Sequence, residues 1–196
     1  MITLRDKHVV ITGARGILGS AVAQCASELG ARLSLVDLRA TGEKEIGVDL
    51  ADAAATLAAL GRLEEVDILF HLAGGFAMGP AVHDPDPKMW ENMFQINVTT
   101  LQNTVRSLVP GMIARRRGRI VTVGALSARQ GAARMSAYIA AKSVVMRLTE
   151  SLSAELKEHG INVNGVLPSI IDTPTNRHDM PDADPSRWWH PLTWQN

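Results

Sequence analysis

The stretch Thr12-Gly13-Ala14-Arg15-Gly16-Ile17-Leu18-Gly19 decides how this chain is organised. It directly follows the apolar run His8-Val9-Val10-Ile11 and opens a segment of helical period from Ile17 to Leu29. Glycines at these spacings let the backbone turn tightly, approach a pyrophosphate closely and pack a helix against a strand. The first N–H groups of such a helix also favour phosphate. The pattern predicts a dinucleotide-binding strand–loop–helix unit, and a tight turn without a ligand is the alternative.

Strand patterns and helix patterns alternate along the whole chain. The predicted strands cover 8–11, 32–37, 45–48, 66–72, 120–123 and 161–167. The predicted helices cover 17–29, 51–60, 86–117 and 136–158. The third helix is long, and we expect one break or bend in it, near 95–99 or at Pro110. This rhythm predicts right-handed crossovers and an α/β fold, a Rossmann-like doubly wound parallel sheet in a single domain.

Composition excludes several classes of protein. The 196 residues carry 20 basic and 20 acidic side chains, and 46% are hydrophobic. A net charge of zero provides no electrostatic footprint for nucleic acid or an anionic membrane. No apolar run approaches the roughly 20 residues of a membrane span, and the first seven residues lack the apolar core of a signal peptide. We therefore expect a cytoplasmic protein with no nucleic-acid partner, no membrane partner and no metal site. The single Cys25 excludes an internal disulfide, and its helical context predicts burial.

An acidic residue ends the second predicted strand. Asp37 lies eighteen residues beyond Gly19, about where a carboxylate takes the adenosine ribose hydroxyls of a dinucleotide. A carboxylate repels a 2′-phosphate, so the sequence favours NAD(H). NADP(H) stays open, because Arg15 and Arg39 are both in reach of such a phosphate.

A tyrosine and a lysine share one helix face near the middle of the chain. Tyr138 and Lys142 are four residues apart, so both project from the same side about one turn apart. A nearby ammonium favours phenolate, and we expect it to lower the pKa of Tyr138. The pair then suits proton exchange with a substrate atom while hydride moves to or from a nicotinamide. An ordinary amphipathic helix with a surface lysine is the alternative interpretation.

Together these motifs resemble the short-chain dehydrogenase/reductase family over nearly the whole chain. Tyr138-Ile139-Ala140-Ala141-Lys142 resembles the family's Tyr-x-x-x-Lys signature, and Asn97 in Gln95-Ile96-Asn97-Val98 matches its catalytic-site asparagine. Three further segments, each after a predicted strand, match the family's cofactor loops: Asp49-Leu50, Ala73-Gly74-Gly75 and Pro168-Ser169-Ile170-Ile171-Asp172-Thr173.

The resemblance implies an NAD(P)(H)-dependent oxidoreductase. Hydride would pass between nicotinamide and a small carbonyl, alcohol or pterin-like substrate, with Tyr138 as proton donor or acceptor assisted by Lys142 and Asn97. The implied cofactor site comprises Gly13, Arg15, Gly16, Ile17, Leu18, Gly19, Asp37, Asp49, Leu50, Ala73, Gly74, Gly75, Tyr138, Lys142, Pro168, Ile171 and Thr173.

Two features depart from the family's usual pattern. The serine that helps to bind the reacting carbonyl is replaced by Ala125, and Thr122 and Ser127 are the nearby hydroxyls. The middle glycine of the loop stands one position early. That spacing, the run Ala73-Gly74-Gly75-Phe76 and the missing serine all resemble dihydropteridine reductase-like members of the family.

The C-terminal end is the third departure. The family continues with a helix and a seventh strand, whereas residues 188–196 show neither period. We therefore expect six strands, with a dinucleotide-binding catalytic domain over 1–187 and an atypical tail over 188–196. The loop 169–184 is a candidate lid.

The sequence also leads to a prediction about the oligomer and to two competing hypotheses about activity. Helices from about 97 to 117 and from 136 to 158 would pair in a family-like homodimer or homotetramer. The competing hypothesis is a non-catalytic NAD(P)-binding sensor or scaffold, which Ala125 and the short C-terminus favour. Asn97, Tyr138 and Lys142 together favour the enzyme.

Overall fold

A six-stranded, fully parallel sheet forms the centre of the molecule in the computed structural model, which describes residues 3–42, 45–173, 176–177 and 184–189. The strand order is β3-β2-β1-β4-β5-β6. The strands are β1 (His8–Thr12), β2 (Arg32–Asp37), β3 (Glu45–Gly47), β4 (Val66–His71), β5 (Gly118–Val123) and β6 (Ile161–Val166). The predicted α/β doubly wound fold is confirmed, and each predicted strand is present to within two residues at either end.

The helices are α1 (Ile17–Glu28), α2 (Ala53–Leu60), α3 (Pro87–Phe94), α4 (Thr100–Ala114) and α5 (Ser136–Leu156). Asp52 begins α2 as an N-cap, because its carboxylate accepts the N–H groups of Ala54 and Ala55. The expected break in the long third helix is a π-helical turn at Gln95–Thr99, between α3 and α4. Pro110 lies inside α4 without ending it.

Buried side chains fill both faces of the sheet. On one face, Leu60 of α2, Met112 of α4 and Leu156 of α5 pack against strand residues such as Leu69 and Ile120. On the other, Val22 and Ala23 of α1 pack against Val9 and Ile11 of β1. Because the strands are parallel, the carboxyl ends of β1, β2, β4 and β5 lie at one edge of this packed sheet.

The sheet order reverses direction between β1 and β4. In open α/β sheets, ligands bind outside the carboxyl ends of the strands at this point. The glycine loop follows β1 there, and Leu72 to Gly75 follow β4. The fold therefore brings the two predicted cofactor loops together.

The structure contradicts the prediction for Cys25 and describes only part of the C-terminal end. Cys25 is exposed, so the prediction of its burial is wrong; it lies on the outer side of α1. Among the residues described after 187, Trp189 pairs with the 170–172 segment: its N–H donates to the Ile170 carbonyl, and its carbonyl accepts the Asp172 N–H, both at 2.8 Å. The rest of the predicted tail, 190–196, and parts of the candidate lid, 174–175 and 178–183, lie outside the described residues.

Candidate active site

The glycine loop is folded against the loop after β4. Gly13 has φ +64°, and a Cβ atom built there would lie 2.9 Å from the Ala73 nitrogen. A Cβ atom at Gly19 would collide with the Gly13 carbonyl oxygen, so only glycine lets α1 start this close to β1. Gly16 caps α1 with extended backbone and no side-chain cap. The first N–H groups of α1 thus stay available to an anion.

Asp37 joins the end of β2 to the glycine loop. Its Oδ2 accepts the Arg15 N–H at 2.9 Å, and its Oδ1 accepts the Leu38 N–H at 2.8 Å. The half-buried carboxylate is therefore held next to the glycine loop. This is where the sequence predicts the group that binds the adenosine ribose hydroxyls.

The side chain of Arg15 extends to the start of β3. Its Nη1 donates to the Thr41 hydroxyl and lies 3.3 Å from Glu45 Oε2. Hydrogen bonds from Thr41 hold the pKa of the Glu45 carboxyl below its ordinary value, and Arg15 adds to this. The guanidinium is thus already paired with an ionised acid.

Asn97 fixes the loop after β4. It lies in the π-helical turn and is 1% exposed. Its Oδ1 accepts the Gly75 N–H at 3.2 Å, while its Nδ2 donates to the Gly75 carbonyl and the Met93 carbonyl, both at 3.0 Å. This network orders Gly74 and Gly75 at the edge of the sheet.

Lys142 reaches the same loop from α5. Its Nζ donates to the Val123 carbonyl at 2.9 Å, and a Cβ atom built at Gly74 would lie 3.3 Å from Nζ and 2.6 Å from Asn97 Oδ1. Burial lowers the pKa of Lys142 to about 8. Lys142 and Asn97 therefore converge on Gly74.

Tyr138 lies one turn before Lys142 on α5. Its ring meets the ring of Phe76 edge to face, with centroids 5.0 Å apart. Burial raises the pKa of Tyr138 above its ordinary value. The expected lowering by the Lys142 ammonium is wrong for this structure, because burial takes water away from the phenol and disfavours the phenolate.

The position of the missing serine is apolar and closed. Ala125 follows β5 and is 5% exposed. Thr122 is fully buried, and its hydroxyl is 2.7 Å from the Thr149 hydroxyl, which donates to the Val145 carbonyl. Thr122 is therefore engaged with α5. Ser127 is exposed in the short helical turn after Ala125.

The other predicted cofactor residues differ in exposure. Ile17 is 40% exposed and Leu18 half-buried at the start of α1. Asp49 is exposed after β3, whereas the Leu50 side chain is buried in the core. The segment 168–173 contacts the loop after β5, because the Pro168 carbonyl accepts the Leu126 N–H at 3.0 Å. Ile171 and Thr173 are half-buried, and both accept hydrogen bonds from Asn176.

His71 is a buried neighbour that the sequence analysis missed. It ends β4 at 3% exposure, and its Nδ1 is 3.0 Å from the Thr12 hydroxyl. The Thr12 oxygen also accepts the N–H groups of Leu72 and Ala73, at 3.2 Å each. Burial, followed by the charge of Lys142, lowers the pKa of His71 to about 3, so it is neutral. The available signal was a histidine at the end of a largely apolar strand, shortly before Gly74 and Gly75.

These features fit a dinucleotide. Gly13 and Gly74 let the loops after β1 and β4 lie so close to their neighbours that a Cβ atom at either position would clash, and the start of α1 supplies N–H groups for phosphate. Within the described residues, no group of three or more histidine, cysteine, aspartate or glutamate side chains is placed to hold a metal ion. None of the helices in the described ranges is long and apolar enough to span a membrane.

A family model described as short chain dehydrogenase matches residues 7–184. The chain belongs to the short-chain dehydrogenase family. It is accordingly an NAD(P)-dependent oxidoreductase of this family, which acts on small molecules.

Curated relatives of the short-chain dehydrogenase family agree with this assignment. The chain is 31% identical over 185 residues to 2-(S)-hydroxypropyl-CoM dehydrogenase 3 of Xanthobacter autotrophicus, covering 86% of this chain and 72% of that one. It is 34% identical over 182 residues to a protein from the same organism named inactive 2-(S)-hydroxypropyl-CoM dehydrogenase 2, covering 84% and 78%.

Solved short-chain dehydrogenase structures share the fold. A 3-oxoacyl-[acyl-carrier protein] reductase with bound NAD from Brucella melitensis is 28% identical with a TM-score of 0.83, covering 96% of this chain and 80% of that one. A short chain dehydrogenase from Burkholderia cenocepacia in complex with NADP is 25% identical with a TM-score of 0.86, covering 97% and 81%. The two neighbours carry different nicotinamide cofactors, so they do not decide which one this chain prefers.

Proposed function

We propose that this protein is an NAD(H)-dependent oxidoreductase in which Tyr138 exchanges a proton with a small carbonyl, alcohol or pterin-like substrate. Lys142 and Asn97 assist it. The observation that carries the proposal is their convergence: the Lys142 ammonium and the Asn97 amide both lie against Gly74, beside the glycine loop. Tyr138 lies one helical turn before Lys142 on the same face of α5, which supports a role for its phenol at the same edge of the sheet.

Each of the three residues has a distinct role in this proposal. Tyr138, whose pKa burial raises, is protonated near neutral pH and suits the role of proton donor in the direction of reduction. Lys142 supplies a positive charge at the carboxyl end of β5, and Asn97 orders the loop on which a nicotinamide ribose would rest. A bound nicotinamide cofactor would supply or accept the hydride.

NAD(H) is the proposed cofactor because a carboxylate ends β2. Asp37 faces the glycine loop through the Arg15 N–H, and a carboxylate there suits ribose hydroxyls and repels a 2′-phosphate. The proposed cofactor contacts are those inferred from the sequence, with the Leu50 contribution coming from its backbone, since its side chain is in the core.

The substrate class follows from what replaces the serine. Ala125 has no hydroxyl to polarise a carbonyl, and the Thr122 hydroxyl is engaged with Thr149. A pterin-like ring, as in dihydropteridine reductase-like members, depends less on that hydroxyl. Phe76, which contacts the Tyr138 ring, offers an apolar wall for a flat substrate.

A non-catalytic NAD(P)-binding sensor or scaffold is the second candidate. The buried Ala125 favours it, and one relative at 34% identity is named as inactive. We also propose residues 1–187 as the catalytic domain, 188–196 as a separate tail, and α4 and α5 as the helices that pair in a homodimer or homotetramer. Light scattering at micromolar concentration would report that assembly.

The decisive experiment compares the wild-type protein with Tyr138→Phe. NADH binding is titrated by fluorescence, and NADH-dependent reduction is screened over quinonoid dihydropterins and small carbonyl compounds. We expect Tyr138→Phe to abolish turnover while NADH affinity changes less than about twofold, since only the phenol oxygen is removed. Full activity of the variant would exclude the tyrosine mechanism. Tight NADH binding with no turnover on any substrate would favour the second candidate.

A further inference from the structure

A carboxylate on the edge strand holds the one guanidinium that the glycine loop carries. Arg15 Nη1 donates to the Thr41 hydroxyl and pairs with Glu45 Oε2 at 3.3 Å. The same Glu45 oxygen accepts the Thr41 N–H at 2.5 Å and the Thr41 hydroxyl at 2.9 Å. We call Arg15, Thr41 and Glu45 the edge cluster. It bridges the glycine loop, the loop after β2 and the first residue of β3.

The edge cluster lies beside Asp37, the proposed ribose-binding carboxylate. The Arg15 N–H donates to Asp37 Oδ2 at 2.9 Å, and the Arg15 side chain continues from there to Glu45. In dinucleotide-binding sheets a carboxylate at the end of this strand takes the 2′-hydroxyl of NAD, and a nearby arginine accommodates the 2′-phosphate of NADP. Arg15 is such an arginine by position, but its guanidinium is occupied.

We infer that Glu45 is a cofactor-specificity residue that disfavours NADP(H) by engaging Arg15 and by adding a second negative charge near Asp37. This inference rests on the proposed dinucleotide site. A 2′-phosphate would have to draw Arg15 away from Glu45 and then remain close to two carboxylates. NAD(H) has no phosphate there, so the same contacts leave its binding nearly untouched.

We expect the edge cluster to affect the choice between NAD(H) and NADP(H) more than the free energy of unfolding. The side chains of Arg15 and Glu45 are 46% and 23% exposed, and exposed ion pairs contribute little to folding. A charge placed beside a phosphate still changes the affinity for that phosphate, because the interaction of two charges at moderate range survives partial screening. In the described part of the loop after β2, residues 38–42, the positively charged side chain is Arg39, which is exposed.

The experiment titrates NADH and NADPH fluorescence on the full chain. The variants are Glu45→Gln, Arg15→Ala, the double variant, and Thr41→Val, which loosens the edge cluster but keeps both charges. Glu155→Gln on the exposed part of α5 removes the same charge far from the loop and is the matched control. Thermal midpoints confirm that each variant is folded.

We expect Glu45→Gln to tighten NADPH about fivefold relative to NADH, with a smaller gain at high salt, as for any partly exposed charge. Glu155→Gln changes neither affinity. In the Arg15→Ala background the gain shrinks, because released Arg15 supplies most of it. Thr41→Val gives a smaller gain than Glu45→Gln.

Equal changes for both cofactors in Glu45→Gln would overturn the inference and leave Glu45 as an ordering contact of the loop. Weaker NADPH binding in Glu45→Gln would also overturn it, since Glu45 would then position Arg15 for the phosphate. If the wild-type protein and all folded variants bind neither cofactor, the proposed function itself fails.

Discussion

The Asn97 amide holds the backbone of Gly75 from both sides: Oδ1 accepts the Gly75 N–H at 3.2 Å, and Nδ2 donates to the Gly75 carbonyl at 3.0 Å. A π-helical turn places Asn97 where it can make both bonds, while Nδ2 also satisfies the Met93 carbonyl four residues before it. The turn therefore has a structural role, because it rotates an asparagine out of the helix register and against the loop after β4.

Replacing this asparagine is expected to loosen the loop. Asn97→Ala leaves the half-buried Gly75 N–H and carbonyl and the buried Met93 carbonyl without this partner, which costs about 1–3 kcal/mol of the free energy of unfolding. Urea denaturation measures the loss, and NADH affinity falls in parallel. Asn92→Ala on the exposed side of α3 is the matched control. Equal stability of the two variants would contradict the assigned role.

The glycine loop is expected to tolerate no methyl group at its third glycine. In Gly19→Ala the new Cβ atom meets the Gly13 carbonyl oxygen, so α1 must move away from β1. We expect a lower thermal midpoint and at least tenfold weaker NADH binding, about 1.4 kcal/mol. Gly131→Ala, where a Cβ atom finds open space, serves as the control. Unchanged NADH binding in Gly19→Ala would argue against the loop as the phosphate site.

Stability is expected to fall in mild acid because His71 is buried in its neutral form. Its folded pKa of about 3 lies below its ordinary value of 6.5. Between these values the unfolded chain binds more protons, so the free energy of unfolding decreases as pH falls from 6.5 towards 3, by up to about 1.4 kcal/mol per pH unit. The pKa of His8 is also lowered, chiefly by burial, and acts in the same direction.

Urea denaturation at several pH values tests the contribution of His71. His71→Asn should flatten most of the decline between pH 6.5 and 4, whereas exposed His83→Asn should leave it intact. A slope that survives in His71→Asn would assign the acid sensitivity to other groups.

The buried charge of Lys142 is expected to lower the free energy of unfolding while serving the proposed reaction. Burial lowers its pKa to about 8 from 10.5, so the unfolded chain binds more protons between these values and stability rises with pH through that window. Below pH 8 the destabilisation is present in full. Lys142→Met removes the buried charge, and we expect it to raise the free energy of unfolding at pH 7 by about 1–2 kcal/mol.

The same variant should lose turnover. Steady-state kinetics and urea denaturation on one preparation of Lys142→Met test both halves of the prediction. A variant that is both inactive and less stable would mean that the hydrogen bond to the Val123 carbonyl matters more than the cost of burying the charge.

Local pattern determined much of this protein by itself. Runs such as Val9-Val10-Ile11 are typical of buried strands, and the glycines at 13, 16 and 19 require a close strand-to-helix turn. The spacing of Tyr138 and Lys142 places them on one helix face whatever surrounds them. These features depend on the chemistry of neighbouring residues along the chain, so six strands, the site edge and the family were all predictable. The cytoplasmic location stays a prediction.

Only the tertiary structure decided which side chains of the site contact one another. Thr122 was a candidate hydroxyl until packing against α5 engaged it with Thr149, 27 residues away. The pKa of Tyr138 moves opposite to the expectation because burial, which no spacing reveals, disfavours the phenolate. Arg15, after β1, and Glu45, at the start of β3, lie 30 residues apart in the chain and meet because β1, β2 and β3 are neighbours in the sheet. Such contacts depend on which distant segments share space, and that is set by the packing of the whole sheet rather than by any local sequence.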